Sequence, residues 1–366
     1  MGLRCGIVGL PNVGKSTLFN ALTLSGQAAV AAYPFCTIEP NVGRVGVPDA
    51  RLERVAQLAH SKAVVPAWLD IVDIAGLVRG ASRGQGLGNK FLAHIREVDA
   101  LLHVLRCFTS GEVSHVEGSV DPLRDAELVA TELLLADLES LERRIEGAQK
   151  RAKGAEREAK REAELMGRAL ALLREGKPAR LLALAEEERA AFKRLELLSA
   201  KPVLYLCNVD EADAATGNAL TAKVEALARA EGAETVVISA AIEAEIAGLE
   251  EEAAREEFLT SLGLAETGLA RVIRAAYRLL GLITFFTANP KEAHAWTIAK
   301  GTTAAATAGL VHSDFERGFI CAETISYEDY IACGGEQGAK DAVKMRQEGR
   351  DYSVKDGDVI LFRFNV

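Results

Sequence analysis

Short apolar runs alternate with longer stretches of helical period over residues 1–124 and again over 200–280. Leu3–Val8, Trp68–Val72, Ala100–Leu105, Pro202–Cys207 and Thr235–Ile238 are apolar at most positions rather than at every second one. A strand with one wet face alternates, whereas a strand covered on both faces does not, so these runs predict a mostly parallel sheet with helices on either side. Each run ends where a polar or glycine-rich signature begins. In open α/β sheets ligands bind beyond the carboxyl ends of the strands, so the signatures are expected to converge on one crevice.

Between residues 125 and 199 strand signals disappear and Ala, Leu, Glu, Arg and Lys dominate, all strong helix formers. Leu128, Leu135, Leu138, Leu141 and Ile145 recur at helical intervals and predict one apolar stripe. Gly176-Lys177-Pro178 interrupts the pattern, and Leu184, Phe192, Leu195 and Leu198 resume it. Two long antiparallel helices, a coiled-coil arm inserted into the α/β domain, satisfy this pattern. Arginine and lysine crowd the stretch from Arg143 to Arg161, close to the expected arm tip. That stretch reads either as a solvated face of mixed charge or as a contact surface for RNA or protein. From residue 281 the texture changes once more: Ile283–Thr287, Ala295–Ile298, Phe319–Ala322 and Val359–Phe364 read as short strands of a small α+β module over 281–366, with a turn at Asp356-Gly357-Asp358.

Composition narrows the class. The chain has 366 residues, 49% of them hydrophobic and 26% charged, which fits a globular protein of two or three domains. No apolar run is long enough to span a bilayer, and the N-terminus enters the first strand without a signal-peptide pattern, so a cytoplasmic protein with no membrane contact is expected. The six cysteines are far apart and form no Cys-x-x-Cys pair, as expected of reduced thiols. A net charge of −9 argues against uniform coating of nucleic acid but leaves room for a basic patch on one arm.

The chemistry begins at Gly9-Leu10-Pro11-Asn12-Val13-Gly14-Lys15-Ser16, a full match to G-x-x-x-x-G-K-[ST] between a strand and a helix that starts near Thr17. Backbone N–H groups of such a turn, together with the helix N-terminus, cradle phosphates. Lys15 is expected on the β- and γ-phosphates and Ser16 on Mg2+. Asp73-Ile74-Ala75-Gly76 follows a strand and matches D-x-x-G, which places Asp73 at the metal. Thr37 lies between the two motifs, where a switch threonine would close over the metal. Gly80, Gly84, Gly86 and Gly88 follow, a composition suited to a loop that orders on the γ-phosphate.

The base is less direct. Most GTPases read guanine with N-K-x-D after a strand, but here the strand ends in Asn208-Val209-Asp210-Glu211. Val209 replaces the lysine, and Glu211, one methylene longer, replaces the aspartate. Each charged hydrogen bond lost to guanine costs on the order of 1.5–3 kcal/mol, which weakens guanine preference and opens the site to adenine. Ser239-Ala240 fits the last loop that contacts the base.

These residues, with Tyr33–Asn41, Asp73–Val78 and the tail Asp356–Val359 with Phe362–Val366, resemble the YchF (Obg-like ATPase) family over essentially the whole chain and in the same order. The resemblance implies an Obg-type P-loop domain (1–124 and 200–280), an inserted coiled-coil arm (125–199) and a C-terminal TGS domain of β-grasp fold (281–366). It implies ATP bound in preference to GTP, and association of a monomeric protein with the ribosome, on its large subunit, with RNA contact through the arm or the TGS domain. Carried over by position, Asn12, Val13, Gly14, Lys15, Ser16 and Thr17 would hold the phosphates, Ser16 and Thr37 the magnesium, and Asn208 and Val209 the adenine. Phe108 would pack on the base. A true GTPase, or a binding module in which hydrolysis is incidental, are the competing readings.

Ras-like enzymes orient the attacking water with a glutamine just after D-x-x-G. Here Leu77 stands there and cannot do so. His115, which matches the family's loop histidine, is the candidate to orient the water. Asn12 is the candidate ligand for K+, a monovalent cation in place of an arginine finger.

Overall fold

Strands without a polar face require cover on both sides, and the chain provides it by interleaving them with helices. The computed structural model describes residues 3–30, 42–74, 87–109, 118–153 and 157–365. In chain order these form β1 (Arg4–Val8), α1 (Lys15–Val30), β2 (Val42–Gly46), α2 (Ala50–Leu58), β3 (Ala63–Val65), β4 (Trp68–Asp73), α3 (Leu87–Arg96) and β5 (Ala100–Arg106). There follow α4 (Pro122–Ala152), α5 (Arg157–Arg174), α6 (Glu186–Lys193), β6 (Val203–Asn208), α7 (Ala219–Glu231), β7 (Glu234–Ile238), α8 (Ala240–Gly248), α9 (Glu252–Ser261) and α10 (Gly268–Leu279). The C-terminal part comprises β8 (Leu282–Ala288), β9 (Glu292–Ala299), α11 (Ala304–Val311), α12 (Ser313–Arg317), β10 (Phe319–Ile325), α13 (Tyr327–Ala332), α14 (Glu336–Asp341), β11 (Arg346–Glu348) and β12 (Val359–Phe364).

The first sheet has strand order β2-β4-β1-β5-β6-β7, and β4–β1, β1–β5, β5–β6 and β6–β7 are all parallel pairs. Ile7, Leu101, Leu102, Leu105, Leu204 and Leu206 are at most 2% exposed, so the sheet is apolar on both faces, as the sequence pattern requires. Because β1 lies between β4 and β5, the chain leaving β1 enters a topological switch point, where such sheets bind ligands.

The arm emerges after β5. Asp121 caps α4 by accepting from the N–H groups of Leu123 and Arg124, and Pro122 sits in the first turn, where a missing N–H costs nothing. Leu141, Ala148, Leu165, Met166, Ala169 and Leu173 pack between α4 and α5, with Leu134, Leu138 and Ile145 at the margin. The stripe differs from the sequence reading at Leu135, which is 40% exposed, because Leu134 takes the inward position. The second limb also differs. It begins at Arg157, within the basic stretch, and ends at Arg174 ahead of Gly176, whose φ of +76° breaks the helix. After Pro178 the chain forms short helical pieces rather than one long helix, and Phe192, Leu195 and Leu197 complete the same core.

Where the arm returns, Arg180 Nη2 donates to Glu231 Oε2 at 2.7 Å, and Tyr205 Oη donates to the same oxygen at 2.9 Å. His103, on β5, lies beside Tyr205 with ring centroids 5.7 Å apart. It is 4% exposed, and its Nε2 has no hydrogen-bond partner among the described residues.

The second sheet is mixed, in the order β11-β10-β12-β8-β9-β3. β8 pairs antiparallel with β9 and parallel with β12, and α11 covers a core of Phe285, Ile298, Ala304, Ala308, Phe319 and Phe362. This is the β-grasp arrangement, with the addition that β3 runs parallel to β9, Val65 opposite His294. The chain divides into two compact units, one of residues up to Gly43 with Asp70–Val272, the other of Arg44–Leu69 with Ile273 onward. This division differs from the sequence boundaries: residues 44–69 fall with the C-terminal unit. An ion pair holds them there, since Arg51 reaches both Asp49 and Asp356 at 2.8 and 2.7 Å and lies 5.4 Å over the Phe286 ring. No helix among the described residues is long and apolar enough to cross a membrane. Cys5, Cys107 and Cys207 are free and buried, and Cys321 and Cys333 free and partly buried.

Burial, and secondarily the facing Arg180, lowers the pKa of His103 to about 3. An unfolded histidine titrates near 6.5, so below that pH the unfolded chain takes a proton the native state refuses. Stability from this group is complete above pH 6.5 and erodes as pH falls toward 3. Urea unfolding at pH 7 and pH 4 should show wild type losing about 3 kcal/mol more than His103→Leu. Equal losses in the two proteins would reject the assignment.

Candidate nucleotide site

The loop after β1 is shaped by two left-handed residues, Asn12 at φ +66° and Gly14 at φ +90°. A Cβ on Gly14 would lie 2.3 Å from Asn208 Nδ2, so glycine is needed there for close approach as well as for conformation. α1 begins at Lys15, and its first closing bond runs from Leu18 N–H to the Gly14 carbonyl at 3.0 Å. The N–H groups of Lys15, Ser16 and Thr17 therefore precede the helical ladder, and the first turn carries no carboxylate to occupy them. That is an anion site by construction.

Across the sheet, Lys15 Nζ meets Asp73 Oδ1 at 2.6 Å, with the two side chains 10% and 21% exposed. The sequence reading assigned Lys15 to phosphate and Asp73 to metal, and the fold brings both to one place. Ser16 follows on the exposed side of the same turn. A hydroxyl and a carboxylate are the hard oxygen donors Mg2+ prefers, and Mg2+ takes its remaining ligands from water and substrate phosphates. Among the described residues there is no cluster of three or more His, Cys, Asp or Glu that would form an all-protein cage, so the donor set fits a metal held jointly with a phosphate ligand. Thr37, Leu77, His115 and Gly76–Gly86 lie outside the described residues.

On the base side, three loops are joined by one amide. Asn208 Nδ2 donates to the Val13 carbonyl at 2.9 Å, and Asn208 Oδ1 accepts from the Ala240 N–H at 2.9 Å. The residue is 4% exposed. Asn208, the expected adenine contact, uses one Nδ2 hydrogen and one Oδ1 lone pair to tie the P-loop to the start of α8. Val209 is 3% exposed and gives its N–H to the Ile238 carbonyl at 2.9 Å, so its carbonyl is what remains for a ligand. Val13 is likewise buried, which leaves its N–H as its means of reaching phosphate. Glu211 is exposed at the start of a single 3-10 turn. Ser239 Oγ is buried without a hydrogen-bond partner among the described residues, at the predicted base loop.

Phe108 is half-buried at the end of β5. Its ring stacks under the Arg106 guanidinium at 4.4 Å, and its carbonyl accepts from Arg106 Nε at 3.3 Å. Sequence reasoning singled out Phe108 but missed Arg106 and Asn218. Asn218 Nδ2 donates to the Cys107 carbonyl at 2.8 Å and to Asp213 Oδ2 at 2.7 Å. The signal for Asn218 was its local cap pattern with Thr221; its partner 111 residues away has no local signature.

A glycine-shaped phosphate cradle after the first strand, with a lysine and an aspartate converging from neighbouring strands of a parallel sheet, defines a P-loop NTPase. Comparison with known proteins narrows the class. Residues 4–136 match a family model described as "50S ribosome-binding GTPase", and residues 282–365 match the model YchF-GTPase_C, whose description reads "Protein of unknown function (DUF933)". The chain is 52% identical to the ribosome-binding ATPase YchF of Bacillus subtilis (strain 168) and 53% identical to that of Escherichia coli O157:H7, each comparison covering 100% of both chains. Among solved structures, the YchF GTPase of Schizosaccharomyces pombe matches with a TM-score of 0.89 at 36% identity, over 99% of this chain and 98% of that one. The chain belongs to the YchF family. A GTP-binding protein from Pyrococcus horikoshii OT3, 20% identical with a TM-score of 0.61, shares the fold.

Because Gly14 touches Asn208, a single methyl tests the cradle. Gly14→Ala strains the backbone and displaces Asn208, and is expected to cost about 3 kcal/mol of stability in urea unfolding. It should also weaken Mg·ATP binding at least about tenfold by calorimetric titration. Unchanged affinity would show that the Asn208 contact does not shape the phosphate loop.

Proposed function

We propose that this chain is a ribosome-associated P-loop ATPase that binds ATP in preference to GTP and acts as a nucleotide-dependent switch. ATP hydrolysis to ADP and phosphate is the family's reaction. Lys15 and the N–H groups of Val13 through Thr17 receive the phosphates, and Ser16, Asp73 and Thr37 are the residues that would hold Mg2+. When bound, the metal neutralises charge on the transferring phosphoryl group. The 2.6 Å pair keeps Lys15 and Asp73 aligned at the site, each ready to exchange its partner for a ligand of opposite charge.

The observation that carries the base assignment is that two backbone donors here are already used. Val209 N–H goes to Ile238 and Ala240 N–H goes to Asn208, so neither is left for the O6 acceptor of guanine. The Val209 carbonyl suits the amino group of adenine instead. The names of the relatives divide on the nucleotide, ATPase for the bacterial proteins and GTPase for the fission-yeast one. Titration of the protein with ATP and GTP in Mg2+ buffer should give ATP at least about tenfold tighter, the size of one lost charged hydrogen bond. Equal affinities would favour the GTPase reading.

The ribosome is the partner in the names of the bacterial relatives, and "50S" in the description of the family model points to its large subunit. Lys150, Arg151, Lys153, Arg157, Lys160 and Arg161 are exposed where α4 gives way to α5 and suit contact with RNA phosphates. Co-sedimentation with ribosomes should therefore fall steeply with rising salt and differ between ATP and ADP. Nucleotide-independent pelleting would count against a switch.

Leu77 leaves the attacking water without the usual glutamine, and we assign its orientation to His115, with Asn12 as ligand for K+. His115→Ala should reduce kcat about 100-fold with little change in KM. Unchanged turnover would remove the histidine, and equal rates in potassium and sodium buffers would remove the cation.

A further inference from the structure

Phe108 and the Asn208–Asp213 loop project from neighbouring strands, β5 and β6, and each needs a fixed position to present a flat crevice to a base. The segment before Phe108 is clamped at both ends of one residue. Cys107 N–H donates to the Asn208 carbonyl at 2.8 Å, and the Cys107 carbonyl accepts from Asn218 Nδ2 at 2.8 Å. The second hydrogen on the same nitrogen goes to Asp213 Oδ2 at 2.7 Å, in the 3-10 turn that begins at Glu211. Asn218 Oδ1 points the other way and accepts from the N–H groups of Leu220 and Thr221 at 2.9 and 3.1 Å, so it also caps α7. One amide thus anchors two loops from adjacent strands to the rigid end of a helix. The preceding Gly217, at φ +70°, turns the chain so that the side chain of Thr221 packs closely under it.

A helix cap needs only an acceptor, and serine or aspartate would serve as well. The two donations are what asparagine adds. We infer that Asn218 is a positioning residue for base selectivity, holding Phe108 and the Val209–Asp213 loop at the spacing that admits adenine. This rests on the reading of the crevice as an ATP site. Asn218 does not touch the base; it acts through the Cys107 carbonyl and Asp213.

The test is Asn218→Ser in the full chain, which keeps a cap acceptor and removes both donations. ATP affinity in Mg2+ buffer, measured by calorimetry, should weaken about tenfold once the donations to the Cys107 carbonyl and the Asp213 carboxylate are lost. The ratio of ATP to GTP affinity should fall by about fivefold, and the melting temperature without nucleotide should fall as well, because the buried Cys107 carbonyl loses its donor. Thr221→Ala serves as the control. It removes the hydroxyl that accepts from Asn218 N–H at 2.9 Å, weakening the cap and leaving the clamp intact. It should lower the melting temperature and leave the ratio unchanged. If Asn218→Ser does not fold, Asn218→Asp, which retains the cap acceptors, reads the same ratio. A ratio held at the wild-type value while the melting temperature falls would overturn the inference and leave Asn218 a helix cap. Wild-type protein that bound neither nucleotide would overturn the reading of the crevice itself, and the inference with it.

Discussion

The Asn208 amide sets the geometry of the whole crevice. Its two hydrogen bonds join loops that leave β1, β6 and β7, and no other small side chain offers a donor and an acceptor at that reach. Aspartate lacks the donor, and glutamine would push the amide one methylene further into the Gly14 backbone. A neutral hydrogen bond contributes only about 1 kcal/mol net, but leaving its buried partner unmade costs about 1–3 kcal/mol. The arrangement is thus held less by the strength of two bonds than by the penalty on every alternative. Gly14, Val13 and Ala240 are each constrained by what this one amide requires of them.

The arm is attached by a different kind of contact. Its body is apolar, packed leucine and alanine between α4 and α5, which holds the helices together without fixing their direction relative to the sheet. The root is polar. Asp137 accepts from Leu198 N–H, Ser199 N–H and the Ser199 hydroxyl at 2.6–2.8 Å, and Ser199 Oγ in turn accepts from Ala179 N–H at 3.1 Å. Burial still raises the pKa of Asp137, the three donors offsetting that only in part. With the Arg180–Glu231–Tyr205 contact, these bonds give the root an orientation that hydrophobic packing would leave free. On the proposed switch reading, an arm that reports a nucleotide state to a distant partner would need a root of this kind.

Local chemistry was legible from the sequence, and long-range chemistry was not. The phosphate loop, the buried strands and the α/β class could be read because each depends on residues within ten positions of one another. Asn208 stood out in the sequence at the end of its strand, yet its partners Val13 and Ala240 are 195 and 32 residues away, and no spacing announces them. The β3 segment was unreadable for the same reason: three residues, Ala63–Val65, gain their identity as a strand only from β9. In the arm the stripe was found, but Leu134 and Leu135 are chemically equivalent on the page, and only packing decides which turns inward. His103 was invisible as a buried base, since a single histidine in an apolar run has no local signature of its partners.

Selectivity for a base is a difference between two affinities, so it can arise by withdrawing contacts from one ligand as well as by adding them to the other. On the proposed reading this site does mostly the former. Val209 in place of lysine removes an aliphatic and charged wall, and Glu211, exposed, is one methylene longer than the aspartate it replaces. Ala240 N–H and Val209 N–H, backbone donors of the two loops read as flanking the base, are spent within the fold. Guanine would then place O6 and its ring N–H against groups that cannot answer them, a desolvation cost of about 1–3 kcal/mol for each. Adenine brings an amino donor to a carbonyl and one polar group fewer to satisfy. On the proposed reading, the amide that builds the phosphate loop and a loss of guanine preference would be one constraint, since holding the Gly14 approach and the Ala240 turn together uses the Ala240 N–H that guanine would need.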